Sequence, residues 1–92
     1  MRQIERVEAH FCGHVQGVGF RYTAVSLARG YPVTGWVKNL PDGRVLLTAE
    51  GERKDLDALI AEIESEMGGY VTRVEKTFLP ATGEFSRFSI AL

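Results

Sequence analysis

Gly13-His14-Val15-Gln16-Gly17-Val18-Gly19-Phe20-Arg21 is the stretch that decides the fold of this chain. It follows segment 7–11, where apolar residues alternate with polar ones and predict a strand. Its glycines predict a loop. Apolar positions with helical spacing then run from Arg21 to Arg29, and Gly30 is a natural helix stop. The chain therefore opens as strand, loop and helix.

Similar patterns predict the remaining elements. The turn residues Leu40-Pro41-Asp42-Gly43 favour a hairpin between strands at 33–39 and 44–50. A second helix opens at Lys54 or Asp55, carries apolar residues on one face, and ends at Gly68-Gly69. A strand at 70–78 and a short terminal strand containing Phe88 and Ile90 complete the order.

This order predicts an α+β fold. It is the ferredoxin-like split βαβ sandwich, βαββαβ plus a short terminal strand, with two helices on one face of an antiparallel sheet. The 92 residues form one domain, 1–92, and the 45% of hydrophobic residues is enough for a core.

Composition narrows the function classes. The net charge of −1 lacks the basic excess of a nucleic-acid binder. The single cysteine, Cys12, suits a reducing compartment and is expected to be a packed side chain. No apolar run has the length of a membrane span, and the first residues do not resemble a signal peptide. We therefore expect a cytoplasmic protein that binds neither nucleic acid nor membranes.

The topology predicts where a site would form. A βαβ crossover makes the first two strands parallel, so that their carboxyl ends lie at the same end of the sheet. The glycine-rich loop after Phe11 is then close to Asn39, which ends the second strand.

The loop has the features of an anion site. Glycines let successive backbone N–H groups converge, and the following helix adds its positive N-terminal end. Arg21 lies at the mouth of this nest, although cations are disfavoured in a first helical turn unless an anion neutralises them. The alternative is a tight loop with an exposed arginine and no ligand.

Asn39 is the second candidate. Its amide can both donate and accept hydrogen bonds, so it could hold a water beside a bound phosphate. Alternatively, Asn39 only caps the turn. Neither His10 nor His14 has a neighbour at metal-ligand spacing, and we expect no metal and no cofactor.

Two motifs together resemble the acylphosphatase family: the stretch from Gly13 to Arg21, and Gly35-Trp36-Val37-Lys38-Asn39-Leu40-Pro41-Asp42-Gly43-Arg44-Val45, continuing to Gly51. The resemblance covers nearly the whole chain and weakens after Thr77. It implies a single acylphosphatase-like domain. It also implies metal-free hydrolysis of the carboxyl–phosphate bond of acyl phosphates, with inorganic phosphate as product and inhibitor.

The resemblance also implies the roles of individual residues. Backbone N–H groups from His14 to Phe20 (His14, Val15, Gln16, Gly17, Val18, Gly19 and Phe20) would bind the phosphate. Arg21 would bind the phosphoryl group, and Asn39 would orient the attacking water. No covalent phosphoenzyme is expected, and the phosphate of the substrate would accept the proton.

Three alternatives remain. One is a non-catalytic module that binds phosphate or carbamoyl phosphate, as in larger proteins that mature hydrogenases, although a free-standing chain argues against it. RNA binding would need aromatic residues on the third strand, where 45–48 has none. A regulatory small-molecule domain would work as a dimer, whereas we expect a monomer.

Overall fold

The computed structural model describes residues 3–92, and its elements follow the predicted order. The strands are β1 (Ile4–Gly13), β2 (Thr34–Asn39), β3 (Val45–Glu52), β4 (Val71–Pro80) and β5 (Phe88–Ile90), and the helices are α1 (Phe20–Ala28) and α2 (Arg53–Glu66). The strands lie in the order β4-β1-β3-β2-β5. The α+β split βαβ prediction is confirmed. Because β5 pairs with β2 in parallel, the sheet is mixed rather than antiparallel throughout.

The element boundaries differ from the predictions by a few residues, for reasons that lie in long-range contacts. β1 starts at Ile4 because it pairs with β3 as far as Glu52 and with β4 as far as Pro80. α2 starts at Arg53, whose side chain donates to the carboxylate of Glu5 at 2.7 Å and lies 3.7 Å from the centre of the Phe78 ring.

Both helices pack against one face of the sheet. Alternate residues of the three central strands point to this face, as a half-buried sheet requires. The core combines them with the apolar faces of the helices, and its largest fully buried side chains include Phe11, Phe20, Leu47, Leu56, Leu59, Ile60 and Ile63. Cys12 is also buried, as expected for a packed side chain.

Within residues 3–92, no helix is long and apolar enough to cross a membrane. The cytoplasmic location and the monomeric state stay predictions.

The segment 81–87, which joins β4 to β5, is fixed to the other face of the sheet by Glu50 of β3. The Glu50 carboxylate, only 4% exposed, accepts hydrogen bonds from the backbone N–H groups of Thr82 and Gly83, both at 2.9 Å. Arg6 of β1 donates to the same carboxylate at 2.9 Å. It also donates to Glu84 at 2.8 Å, so it links the sheet to this segment as well.

These hydrogen bonds govern the ionisation of Glu50. Burial alone would raise the pKa of its carboxyl group, but the donors from Thr82, Gly83 and Arg6 favour the charged form and lower the pKa to about 2. A carboxyl group with a depressed pKa stabilises the fold above its unfolded pKa, and this contribution is lost as the pH falls.

We therefore expect Glu50→Gln to destabilise the protein at pH 7 by about 3 kcal/mol, since it leaves Arg6 without its buried partner. In the wild type, the free energy of unfolding should fall as the pH drops from about 4.5 towards about 2. The variant should lose part of this dependence. Urea titrations across this pH range measure both effects.

Glu64→Gln, which changes an exposed carboxylate of α2, is the matched control and should leave the curve unchanged. Equal stability of Glu50→Gln and Glu64→Gln at pH 7 would contradict this account of the segment 81–87.

Candidate active site

The central strand β3 brings the two predicted motifs together. Val45 pairs with Phe11 of β1 on one side and with Asn39 of β2 on the other. Neighbouring strands are about 4.8 Å apart, so the backbones of Phe11 and Asn39 lie two such spacings, about 10 Å, from each other. The loop that leaves β1 and the residue that ends β2 therefore face a common space.

The loop between β1 and α1 is anchored at both ends. Gly13 passes so close to β4 that a Cβ atom would collide with the carbonyl oxygen of Tyr70. The next N–H, that of His14, donates to this oxygen at 2.9 Å. Val15 is fully buried, and the ring of Phe20 packs on that of Phe11 with 4.9 Å between ring centroids.

The loop ends in an uncapped helix N-terminus. Gly19 is the N-cap residue of α1 and has a left-handed conformation, with φ of 78°. It contributes no side-chain hydrogen bond to the helix, and the first intrahelical bond runs from the N–H of Thr23 to the carbonyl of Gly19. The N–H groups at 20–22 therefore have no acceptor within the helix and carry its positive dipole.

Arg21 adds a full positive charge at this point. The first turn of α1 contains no acidic residue. In the part of the chain that the structure describes, no salt bridge or side-chain hydrogen bond involves the half-buried Arg21. Its guanidinium is thus free to donate two parallel hydrogen bonds to a phosphoryl group or a carboxylate.

Asn39 presents a polar atom with no partner. Alternation along β2 places its side chain on the same face as buried Val37, and Lys38 on the opposite face. The Oδ1 atom of Asn39 is buried and meets no hydrogen-bond donor among the described residues. An unsatisfied buried acceptor costs about 1–3 kcal/mol.

Arg21 and Asn39 line one cavity of about 120 Å³, together with Val15, Gly17, Gly19, Phe20 and Tyr22. This is several times the ~30 Å³ that one water occupies in the liquid.

Of the predicted phosphate-binding residues, His14, Gln16 and Val18 do not line this cavity. The N–H of His14 donates to the carbonyl oxygen of Tyr70, and its role as a phosphate donor stays a prediction. The other assignments stay predictions.

Two contributions were missed by the sequence reasoning. Tyr22 lines the cavity and is 76% exposed, which is unusual for an aromatic side chain. An aromatic residue directly after Arg21 in a first helical turn was the available signal. Gln16 was expected to offer its backbone, but its side chain reaches the β2–β3 hairpin.

Comparison with known proteins identifies the family. The acylphosphatase family model matches residues 7–90. The acylphosphatase of Methylococcus capsulatus is 41% identical over 88 residues, which are 95% of this chain and 96% of the relative. The chain belongs to the acylphosphatase family. The resemblance of its motifs to this enzyme family is thereby confirmed.

Solved structures agree with the family assignment. The crystal structure of acylphosphatase from Bacillus subtilis matches with a TM-score of 0.86 and 32% identity, over 96% of this chain and 99% of that one. Full-length HypF, in a phosphate- and nucleotide-bound form, matches with a TM-score of 0.83 and 28% identity. That match covers 99% of this chain but only 12% of HypF.

The site geometry predicts the effect of Arg21→Gln in this member of the acylphosphatase family. The affinity for inorganic phosphate should fall about tenfold or more, because charge-assisted hydrogen bonds are lost. In phosphate-free buffer the variant should melt at the same temperature or slightly higher, since a cation leaves the positive end of α1. Calorimetric titration and thermal unfolding measure the two effects.

Arg29→Gln is the matched control, because Arg29 lies at the opposite end of the same helix. It should bind phosphate like the wild type. The assignment of Arg21 fails if both variants bind phosphate equally well.

Proposed function

We propose that this chain hydrolyses the carboxyl–phosphate bond of acyl phosphates to a carboxylate and inorganic phosphate. Membership of the acylphosphatase family supports the proposal. So does the combination of groups in one cavity: a helix N-terminus, and a cation and a buried acceptor that have no partner among the described residues.

In this proposal the phosphoryl group binds between Arg21 and the backbone N–H groups of Val15–Phe20. His14 is left out, because its N–H is bonded to the carbonyl oxygen of Tyr70, directly before β4. Phosphoryl transfer proceeds through a loose transition state with charge spread over three oxygens, so positioned donors account for most of the catalysis. The guanidinium and the N–H groups are donors of this kind.

Asn39 would position the nucleophile. Its Oδ1 accepts a hydrogen bond from a water and holds the water oxygen in line with the bond to be cleaved. A new oxygen–phosphorus bond forms, and the bond from phosphorus to the carboxyl oxygen breaks with its electron pair. The leaving carboxylate needs no proton. The described residues that line the cavity include no carboxylate or imidazole, so in this proposal the water proton passes to a phosphoryl oxygen of the substrate.

The unpartnered Oδ1 of Asn39 is the observation that carries the proposal. A buried acceptor that the fold leaves unsatisfied is expected where a ligand or an ordered water completes the hydrogen bonding. In this proposal the donors around it would bind an anion, and an acceptor in their midst would repel that anion unless a water lay between the two. A hydrolytic site has this arrangement.

The alternative is a module that binds phosphate or carbamoyl phosphate without turnover. The match to HypF is the observation that supports this alternative. It covers about one-eighth of HypF, so in that protein the same fold is part of a much larger chain. Binding without hydrolysis would need only Arg21 and the loop, and Asn39 would then have no chemical role.

The test measures hydrolysis of a synthetic aryl acyl phosphate with EDTA present. We expect the wild type to turn over, and Asn39→Ala to lower kcat about 100-fold, because the water loses its orientation. The inhibition constant of inorganic phosphate should change less than about twofold, since the phosphate donors remain. Lys38→Ala, on the opposite face of β2, is the matched control and should behave like the wild type.

Full activity of Asn39→Ala would refute the water-orienting role. A folded wild type that binds phosphate but does not hydrolyse the substrate would favour the binding module. Loss of turnover in EDTA, restored by a divalent cation, would refute the metal-free reaction.

A further inference from the structure

The side chain of Gln16 connects the two halves of the candidate active site. Its Nε2 donates to the carbonyl oxygen of Leu40 at 2.8 Å and to that of Arg44 at 3.0 Å. Leu40 directly follows Asn39 in the chain, and Arg44 closes the hairpin. A residue of the loop is thus tied to the backbone on both sides of the β2–β3 turn.

The turn that Gln16 holds is itself well fixed. The N–H of Gly43 donates to the carbonyl of Leu40 at 3.1 Å, and the N–H of Leu40 donates to the carbonyl of Arg44 at 2.8 Å. Asp42 accepts from the backbone N–H of Arg44 at 3.0 Å and from its guanidinium at 2.8 Å. Each of the two carbonyl oxygens therefore accepts one hydrogen bond from a backbone N–H of the turn and one from the side-chain amide of Gln16. Because the turn is held in this way, it moves as one unit with Asn39.

The other contacts that anchor the loop are made with parts of the molecule other than the β2–β3 hairpin. His14 ties it to the start of β4, and Val15 and Phe20 tie it to the core beneath α1. These contacts fix the N–H groups that face a phosphate, but they do not fix the distance from the loop to Asn39. Among the described side-chain hydrogen bonds of the loop, those of Gln16 alone reach the hairpin.

The amide of Gln16 is not a candidate ligand of the phosphate. An amide has two N–H donors, and the two backbone carbonyls occupy both. The remaining Oε1 is an acceptor, which an anion repels. Gln16 also does not line the cavity.

We infer that Gln16 is a positioning residue, which holds Asn39, and the water that Asn39 orients, at a fixed distance from the phosphate-binding loop. This inference rests on the proposed function. It assigns to the Gln16 side chain an effect on the rate of the chemical step, separate from phosphate binding.

A double-mutant cycle with Gln16→Met and Asn39→Ala tests it, since methionine keeps the length of the side chain and removes the donors. Gln16→Met alone should lower kcat about tenfold, with less than about a twofold change in phosphate inhibition. In the Asn39→Ala background the same change should lower kcat by less than about twofold, because the residue that Gln16 positions is gone.

Tyr31→Phe is the structural control. It removes another exposed long-range hydrogen bond, from the Tyr31 hydroxyl to Glu62 at 2.6 Å, away from the cavity. Tyr31→Phe should keep the wild-type kcat, and its melting temperature should shift about as much as that of Gln16→Met. A role of Gln16 in stability alone would affect melting and leave kcat unchanged.

The outcomes separate the two proposals. If Gln16→Met lowers kcat equally in both backgrounds, or weakens phosphate inhibition in proportion, the positioning role is overturned while the proposed function stands. If Gln16→Met keeps the wild-type kcat, the positioning role is also overturned. An inactive wild type or a fully active Asn39→Ala variant overturns the proposed function, and the inference falls with it.

Discussion

Val45 holds the two halves of the candidate site in register. It is the one residue of β3 that pairs with both Phe11 and Asn39, so a single rung of the sheet sets the spacing between the asparagine and the end of β1, from which the loop leaves. A slip of one residue in either ladder would turn the Asn39 side chain to the opposite face of the sheet or displace the loop. Register is best specified where one face is buried, and Val45 is fully buried.

Two pairs of polar residues differ in whether the described part of the fold supplies their partners. Arg6 and Glu50 are largely buried, and each is surrounded by partners that fix segment 81–87 to the sheet. Within residues 3–92, the Arg21 side chain and the Oδ1 of Asn39 have no such partner, although both residues line one cavity. Folding alone gains nothing from a cation at the positive end of a helix beside an unsatisfied acceptor. Such a pair is expected where a ligand completes it.

The sequence predicted the elements well because its patterns are local. Alternation, helical spacing and turn residues placed every strand and helix, and the crossover rule brought Asn39 to the loop. What it could not predict depends on contacts between distant residues. Three such contacts are the hydrogen bond from His14 to Tyr70, the hydrogen bonds from Gln16 to the hairpin, and the parallel pairing of β5 with β2. They follow from tertiary packing, which the spacing of residues in the sequence does not reveal.

A site built from so few side chains depends on how rigidly they are held. The loop gains its rigidity from Val15 and Phe20 in the core, and Asn39 gains its own from the ladder to β3. Two rigid parts can still shift against each other, and an error of about 1 Å in a reacting geometry can cost about 100-fold in rate. The two hydrogen bonds of Gln16 oppose this shift directly. Because both are exposed to water, they contribute little to stability, so their effect should appear in catalysis rather than in folding.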